Sequence, residues 1–366
     1  MSSSVEQSRS WSELPPELLA SISTSLLTLS DYVRFRSVCS SWRASASPSP
    51  RHLPLQLPIL LANHHHHPLF SILSPSFSRH QILGSSSGYL ALRSPSSSSL
   101  SLLNPVTLSQ IHLPFLNTFP MSPFFIKKVV LSPPPPDSIS VLALLGWSTS
   151  LALSLPGRRS SWTLLPGCAN YHDALFFRGR FHVVDGFRRV FVLDADAGRL
   201  SEAARVEVAR APPFLGRADK CYLVESAGDL LLVIRMFNGS VSATVGFEVF
   251  RLGLGKETAE VEVVKSLGDR MLFLGLNCSV SFLETDVGRR PAAAAAAAGF
   301  RGDCIYFLDD TLNSVGDLAR GGWDAAVYSM GDGTIRPFPL LSMVGDGGSQ
   351  ICGRRPPAVW FTPGLC

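Results

Sequence analysis

Two hydrophobic periodicities divide the chain. Near the start, Leu14, Leu18, Ile22 and Leu26 recur every fourth residue with Leu19 beside them, the signature of one apolar stripe on an α-helix. Pro15 and Pro16 suit a first helical turn, where backbone N–H groups have no intrahelical partner, and Glu17 complements the positive helix end. Ser30-Asp31 marks a second start, followed by Tyr32, Val33, Phe35 and Val38, with Trp42 one turn further on. The spacing predicts helix, short turn, helix and a final helical turn within about 35 residues.

Beyond residue 80 the pattern shortens to strands. Ala174–Phe177, Phe181–Val184 and Val190–Leu193 are apolar runs separated by Arg178-Gly179-Arg180 and by Asp185 to Arg189, which predicts a three-stranded antiparallel meander. Tyr222–Glu225 and Leu230–Arg235 flank Ser226-Ala227-Gly228-Asp229 as a hairpin, and Phe247–Leu252 alternates as a further strand. Cys304–Leu308, Ala326–Ser329 and Thr334–Phe338 continue in the same style. Turn glycines before the strongest strands, Gly88, Gly179, Gly228, Gly268 and Gly302, recur every 40–50 residues or so if the first gap holds two units. Such a unit of a few antiparallel strands predicts propeller blades; a pair of β-sandwiches is the other arrangement compatible with the pattern. The expected fold is therefore mainly β with a small α-helical N-terminal module.

Low-complexity stretches interrupt the pattern. Ala44–Pro58 is rich in Ser and Pro and reads as a linker, Ser132–Asp137 holds four consecutive prolines, and Pro291–Gly299 encloses seven alanines read as a loop insertion. His64–His67 offers imidazoles, but adjacent side chains diverge and no spaced Cys or His completes a tetrahedral set, so it reads as low complexity. The expected division is a helical module at 8–47, a Ser/Pro/His-rich linker at 48–67 and a β-domain at 68–361.

Composition narrows the partners. Hydrophobic residues make up 46% and charged residues 16% of 366, enough for an ample core and inconsistent with wholesale disorder. A net charge of +4 over this length argues for neither nucleic acid nor an anionic membrane surface. The seven cysteines, at 39, 168, 221, 278, 304, 352 and 366, form no C-x-x-C and read as small buried hydrophobes rather than as disulfides. Met1 to Ser12 lacks the apolar run of a signal peptide, and stretches such as Ile139–Leu145 fall short of the roughly 20 residues that span a bilayer. A soluble protein of a reducing compartment, cytoplasm and/or nucleus, is expected.

Catalytic signatures are missing from the sequence. It contains no G-x-x-x-x-G-K-[ST], H-E-x-x-H or strand-borne G-x-G-x-x-G. Asp309-Asp310 would point to opposite faces of a strand, and Gly331-Asp332-Gly333 reads as a hairpin turn rather than a calcium loop. Trp147, Trp162, Trp323 and Trp360 read as core packing, while Arg158-Arg159 and Arg188-Arg189 read as solvated turn residues. No cofactor, no metal and no catalytic residue is expected.

Leu14-Pro15-Pro16-Glu17-Leu18-Leu19-x-x-Ile22, followed by Asp31-Tyr32-x-Arg34-x-Arg36-x-Val38-Cys39-x-x-Trp42-Arg43, resembles an F-box. That resemblance implies binding of a Skp-type adaptor, which joins a cullin and a RING protein, through Leu14, Pro15, Leu18, Leu19, Ile22, Val33, Val38, Cys39 and Trp42. The remainder is similar to a plant family with a KIB-type β-propeller. The matching pieces run from Gly88-Tyr89-Leu90 and Asn104-Pro105 through Asp173-Ala174, Gly246-Phe247-Glu248-Val249 and Leu267-Gly268-Asp269 to Asp332-Gly333-Thr334-Ile335 and Trp360-Phe361. The polyalanine insert and the Ser-rich 94–101 depart from it. Together the resemblances imply a non-enzymatic adaptor that recruits a protein client for ubiquitination. Two other readings are a propeller enzyme or small-molecule binder whose helices only pack on the β-domain, and a remnant that has lost its client. A module of ~40 residues buries too little surface to fold unaided, so its apolar side chains need a cover of some kind.

Overall fold

The computed structural model describes residues 11–27, 29–47, 50, 52–53, 59–61, 80–94, 99–114, 126–132, 139–146, 150–155, 161–165, 170–194, 198–206, 219–238, 243–254, 259–275, 278–285, 300–308, 325–337 and 359–364. The histidine run, the four prolines, the alanine run, Trp147, Trp323, Arg158-Arg159 and Asp309-Asp310 lie outside the described residues.

A 3-10 turn at Trp11–Glu13 leads into α1 (Pro16–Ser25), α2 (Leu29–Ser37) and α3 (Ser40–Ser45). Pro15 sits outside α1 in an extended conformation, and its carbonyl accepts from the N–H groups of both Leu18 and Leu19 at 3.1 Å. Helices this short do not persist alone in water. They are held by a small core of Leu19, Tyr32, Phe35 and Ala46, with Leu14, Leu26, Trp42 and Leu53 against it. Tyr32 donates its hydroxyl to the carbonyl of Ser47 at 2.8 Å and meets the His52 ring edge-on at 5.4 Å. Ala46, Ser47, His52 and Leu53, inside the stretch expected to be linker, thus lie against the helices.

The rest is a five-bladed β-propeller, which removes the sandwich alternative. β1 (Ile59–Leu61) comes first in the chain and also lies within the expected linker. The first blade is β2 (Gln81–Ser86), β3 (Tyr89–Arg93), β4 (Leu100–Leu103) and β5 (Gln110–His112). The second is β6 (Ile126–Leu131), β7 (Val141–Leu145), β8 (Leu151–Ser154) and β9 (Thr163–Leu165). The third is β10 (Tyr171–Phe177), β11 (Arg180–Asp185), β12 (Arg189–Asp194) and β13 (Arg199–Arg205). The fourth is β14 (Lys220–Ser226), β15 (Asp229–Phe237), β16 (Thr244–Leu254) and β17 (Ala259–Val263).

These four blades are antiparallel meanders. In the first, third and fourth, the first hairpin closes on two residues of positive φ: Ser87-Gly88, Arg178-Gly179 and Ala227-Gly228. This is the mirror-image turn whose twist matches a hairpin, and it selects glycine at its second position. The second blade replaces that turn with the segment holding the prolines, which accounts for the doubled gap in the glycine rhythm.

The fifth blade contains β18 (Arg270–Leu274), β19 (Val280–Leu283), β20 (Cys304–Phe307), β21 (Ala326–Ser329) and β22 (Ile335–Pro337). Its order is β19-β18-β20-β21-β22, and β18 runs parallel to β20. The segment between β19 and β20 carries the alanine insertion, long enough for the crossover that a parallel pair requires.

Each seam between blades is an apolar layer built from alternate residues of the strands. Val129 faces the first blade and Val130 the third; Val183 faces the second blade and Val184 the fourth. β23 (Val359–Phe361) closes the ring and pairs with β1. Its Trp360 packs on Met271, Phe273 and Tyr306 of the fifth blade, while Val359 and Phe361 pack on Ile82, Leu90 and Leu103 of the first.

Candidate functional site

The helical module leaves much of its apolar surface uncovered. On α1, Leu19 is fully buried and Ser23 nearly so, while Leu18 is 53% and Ile22 39% exposed. The four-residue stripe read from the sequence therefore divides: Leu14 and Leu26 lean on the module's core, and Leu18 and Ile22 face solvent. Leu27 and Val38 add exposed area at the ends of α1 and α2. Four exposed apolar side chains are many for so small a unit.

The remaining residues expected at the adaptor contact take different positions. Pro15 is exposed, and Val33 and Cys39 are half-buried. Trp42 is half-buried against Phe35, ring centroids 4.5 Å apart, and donates its indole N–H to the carbonyl of Trp11 at 3.0 Å. Leu19 has no exposed surface; it holds the helix from within instead of presenting itself. Trp11, 74% exposed, and Leu27 were not singled out from the sequence, although both adjoin the patterned residues.

The propeller's polar chemistry is placed at the seams. Lys128 on β6 pairs with Asp173 on β10, both side chains buried. Asp173 also accepts from its own strand at Ala174 N–H (2.8 Å) and from Leu223 N–H on β14 (2.9 Å), so one carboxylate joins three blades. Burial raises its pKa, opposed by the Lys128 ammonium and these hydrogen bonds.

Arg188 and Arg189, expected as solvated turn residues, are instead committed to ion pairs. Arg188 is buried and donates to Asp219 at 3.1 Å across the seam to the fourth blade, and Arg189 holds the buried Asp185 at 2.7 Å. Arg235 is buried too. It donates to Thr244 Oγ1 (2.7 Å) and the Leu308 carbonyl (2.9 Å), with its guanidinium 4.5 Å from the Phe307 ring centroid.

Trp162 and Trp360 are core residues; the Trp162 indole N–H donates to the Pro114 carbonyl across the first seam at 3.0 Å. Gly331-Asp332-Gly333 is the β21–β22 turn, where Asp332 accepts from Thr334 Oγ1 at 2.7 Å. Hydrogen bonds from Thr334 and Ser329 hold its carboxyl down at about 2. Among the described residues, no three His, Cys, Asp or Glu side chains converge as a metal set, and no helix is long and apolar enough to cross a membrane.

A helical module with an uncovered apolar face, followed by a closed propeller, defines the class of F-box proteins that carry a propeller. Residues 11–49 match the F-box-like family model, and residues 60–329 match the KIB1-4 beta-propeller model. The chain belongs to the KIB1-4 beta-propeller family. It is 29% identical to the F-box protein SKIP23 of Arabidopsis thaliana, over 86% of this chain and 89% of that protein. To the F-box protein At2g17036 of the same plant it is 25% identical, over 85% and 89% respectively. The putative F-box protein At5g55150, also from Arabidopsis thaliana, is 28% identical over 84% and 88%.

Proposed function

We propose that the protein is the substrate-recognition adaptor of a Skp-cullin-F-box ubiquitin ligase, itself without a catalytic role. The observation that carries this reading is the exposure of Leu18 and Ile22, one turn apart on α1, and of Val38 after α2, on a module whose core is already filled by Leu19, Tyr32 and Phe35. A face of this kind fits a partner's helices, and the F-box-like match supports a Skp-type adaptor as that partner. Pro15, Val33 and Cys39 border the contact, and Leu14, Leu19 and Trp42 hold the helices that form it. The propeller, on this reading, presents the protein client through its variable loops, where binding specificity generally resides.

The test is capture of a purified Skp-type adaptor by the full chain. Central apolar anchors cost about 2 kcal/mol when cut to alanine, which is roughly thirtyfold in affinity. Leu18→Ala and Ile22→Ala should each show that loss while the propeller's melting transition stays put. Trp42→Ala is the less clean variant, because the indole also packs on Phe35 inside the module. If both Leu18→Ala and Ile22→Ala retain wild-type adaptor affinity, the reading is wrong. If they instead lower the melting point of the propeller, the helices pack on the β-domain as the competing view requires.

A further inference from the structure

Arginine carries nearly all of this chain's positive charge. Of its 32 Lys and Arg residues only five are lysines, at 127, 128, 220, 256 and 265, and the other 27 are arginines. Lysine is ordinarily among the commonest residues of a soluble protein. The two side chains are alike in charge and unlike in reactivity. A guanidinium stays protonated, whereas an ammonium that releases its proton becomes a nucleophile, and so lysine is the residue to which ubiquitin is joined. Exposed arginines such as Arg34, Arg205 and Arg336 charge the surface without offering an acceptor nitrogen.

The fold restrains three of the five amines. Lys128 on β6 is buried in its ion pair with Asp173, its side chain 5% exposed. Lys127, beside it, and Lys220, at the start of β14, are half-buried. The Lys220 ammonium also lies over the Tyr222 ring, 5.4 Å from its centroid, a cation–π contact. An acceptor amine has to enter the active site of another protein, and a side chain half covered by its own fold reaches out less far than a free one.

Lys265 is differently placed. It follows β17 on the connection to β18, and among the described residues it is the one exposed lysine. No described hydrogen bond or ion pair engages its ammonium. The chain on either side is pinned. Val264 donates its N–H to the Val249 carbonyl at 2.8 Å, and Leu267 N–H and the Ser266 hydroxyl both donate to Asp303 Oδ1, at 2.6 and 3.0 Å. Val263 and Ser266 are exposed as well, so a partner can approach without displacing packed structure. Lys256 falls between β16 and β17 in the sequence, outside the described residues.

We propose that Lys265 is the amine on this chain to which its own ligase attaches ubiquitin. This rests on the adaptor reading above and deepens it, since it names where the assembled ligase acts on its adaptor when no client is present. The step needs the ubiquitin-charged conjugating enzyme that a RING protein recruits. The deprotonated Lys265 Nζ attacks the thioester carbonyl at the ubiquitin C-terminus. The isopeptide N–C bond forms, the C–S bond breaks, and the enzyme's cysteine leaves as a thiolate while the nitrogen's surplus proton passes to solvent. With so few competing amines, self-modification is confined to one point beside the outer strand of the fourth blade.

The test is a reconstituted reaction of the full chain with a purified Skp-type adaptor, cullin, RING protein, charged conjugating enzyme and ubiquitin, without client. Tryptic mapping of the diglycine remnant should place it at Lys265. Lys265→Arg should lower self-conjugation at least fivefold, while Lys127→Arg, Lys220→Arg and Lys256→Arg leave it unchanged. The exchange keeps the charge, and at an exposed position it keeps the fold. Self-conjugation that persists in Lys265→Arg, or that maps to another lysine in the wild type, overturns the proposal. So does an assembled ligase that discharges ubiquitin onto free lysine yet leaves the chain unmodified; in that case the adaptor reading stands and Lys265 alone is ruled out. A chain that fails to co-elute with the adaptor and cullin removes the adaptor reading itself, and the proposal with it.

Discussion

Replacing Trp360 with alanine asks whether three residues near the end of the chain hold the ring shut. The indole is 1% exposed and meets Phe273 edge-on, with ring centroids 5.1 Å apart. It also packs on Met271, Tyr306 and Leu308 of the fifth blade. Its carbonyl accepts from the Ser85 hydroxyl of the first blade, and its flanking residues Val359 and Phe361 are fully buried on that side. Truncating a large buried aromatic residue costs about 3–5 kcal/mol, transfer and cavity terms together. Domains of ordinary size are stable by only about 5–15 kcal/mol, so the change removes a large share. Urea unfolding of the full chain should show the midpoint falling with the slope preserved, the mark of lost stability rather than an altered unfolded state. Trp11→Ala is the control, since that side chain is 74% exposed. A loss below about 1 kcal/mol for Trp360→Ala, or an equal loss for both variants, would refute the closure argument.

Three further outcomes are expected. Arg188→Ala should cost about 3–5 kcal/mol by removing the guanidinium that pairs with the buried Asp219 carboxylate, read from the same urea curves. Gly179→Ala and Gly228→Ala should each lower stability by about 1 kcal/mol through backbone strain alone, since φ is +81° and +82° and nothing lies within 4 Å of an added Cβ. Burial pushes the Cys221 thiol up to about 12. The unfolded chain therefore loses this proton first as pH rises, so the thiol's contribution is intact below about pH 9 and is lost between there and about 12. Cys221→Ser should flatten that alkaline decline in a pH series of melts, and native Cys221 should resist alkylation at pH 8.

How much of this was legible in the sequence depends on whether the signal was local. Gly88, Gly179 and Gly228 announced their hairpins because a two-residue mirror-image turn admits few other residues. The second blade escaped the same reading because its first turn carries no such glycine. β1 and β23 are three-residue strands whose partners lie about 300 residues apart in sequence, and no local pattern marks such a pairing. The F-box motif located the helices correctly, but four-residue spacing does not say which side of a stripe faces inward. Leu19, adjacent to the stripe, turned out to be the core residue, and Leu18 and Ile22 the exposed ones.

Charged residues were the hardest to read. Arg188-Arg189 looked like a turn doublet, yet each guanidinium is committed to a buried carboxylate. Lys128 and Asp173 each interrupt an otherwise apolar strand, and each follows a bulge residue, Lys127 or His172. A charge within an apolar run carries a desolvation cost, so it calls for a partner. Equivalent positions in consecutive propeller blades are where such a partner can be sought, because neighbouring blades repeat the same geometry. The bulge residues Leu83, Lys127 and His172 are spaced 44 and 45 residues apart, the same interval that separates the blades. That repeat places the residues after two of the bulges, Lys128 and Asp173, in the seams, where they tie neighbouring blades together.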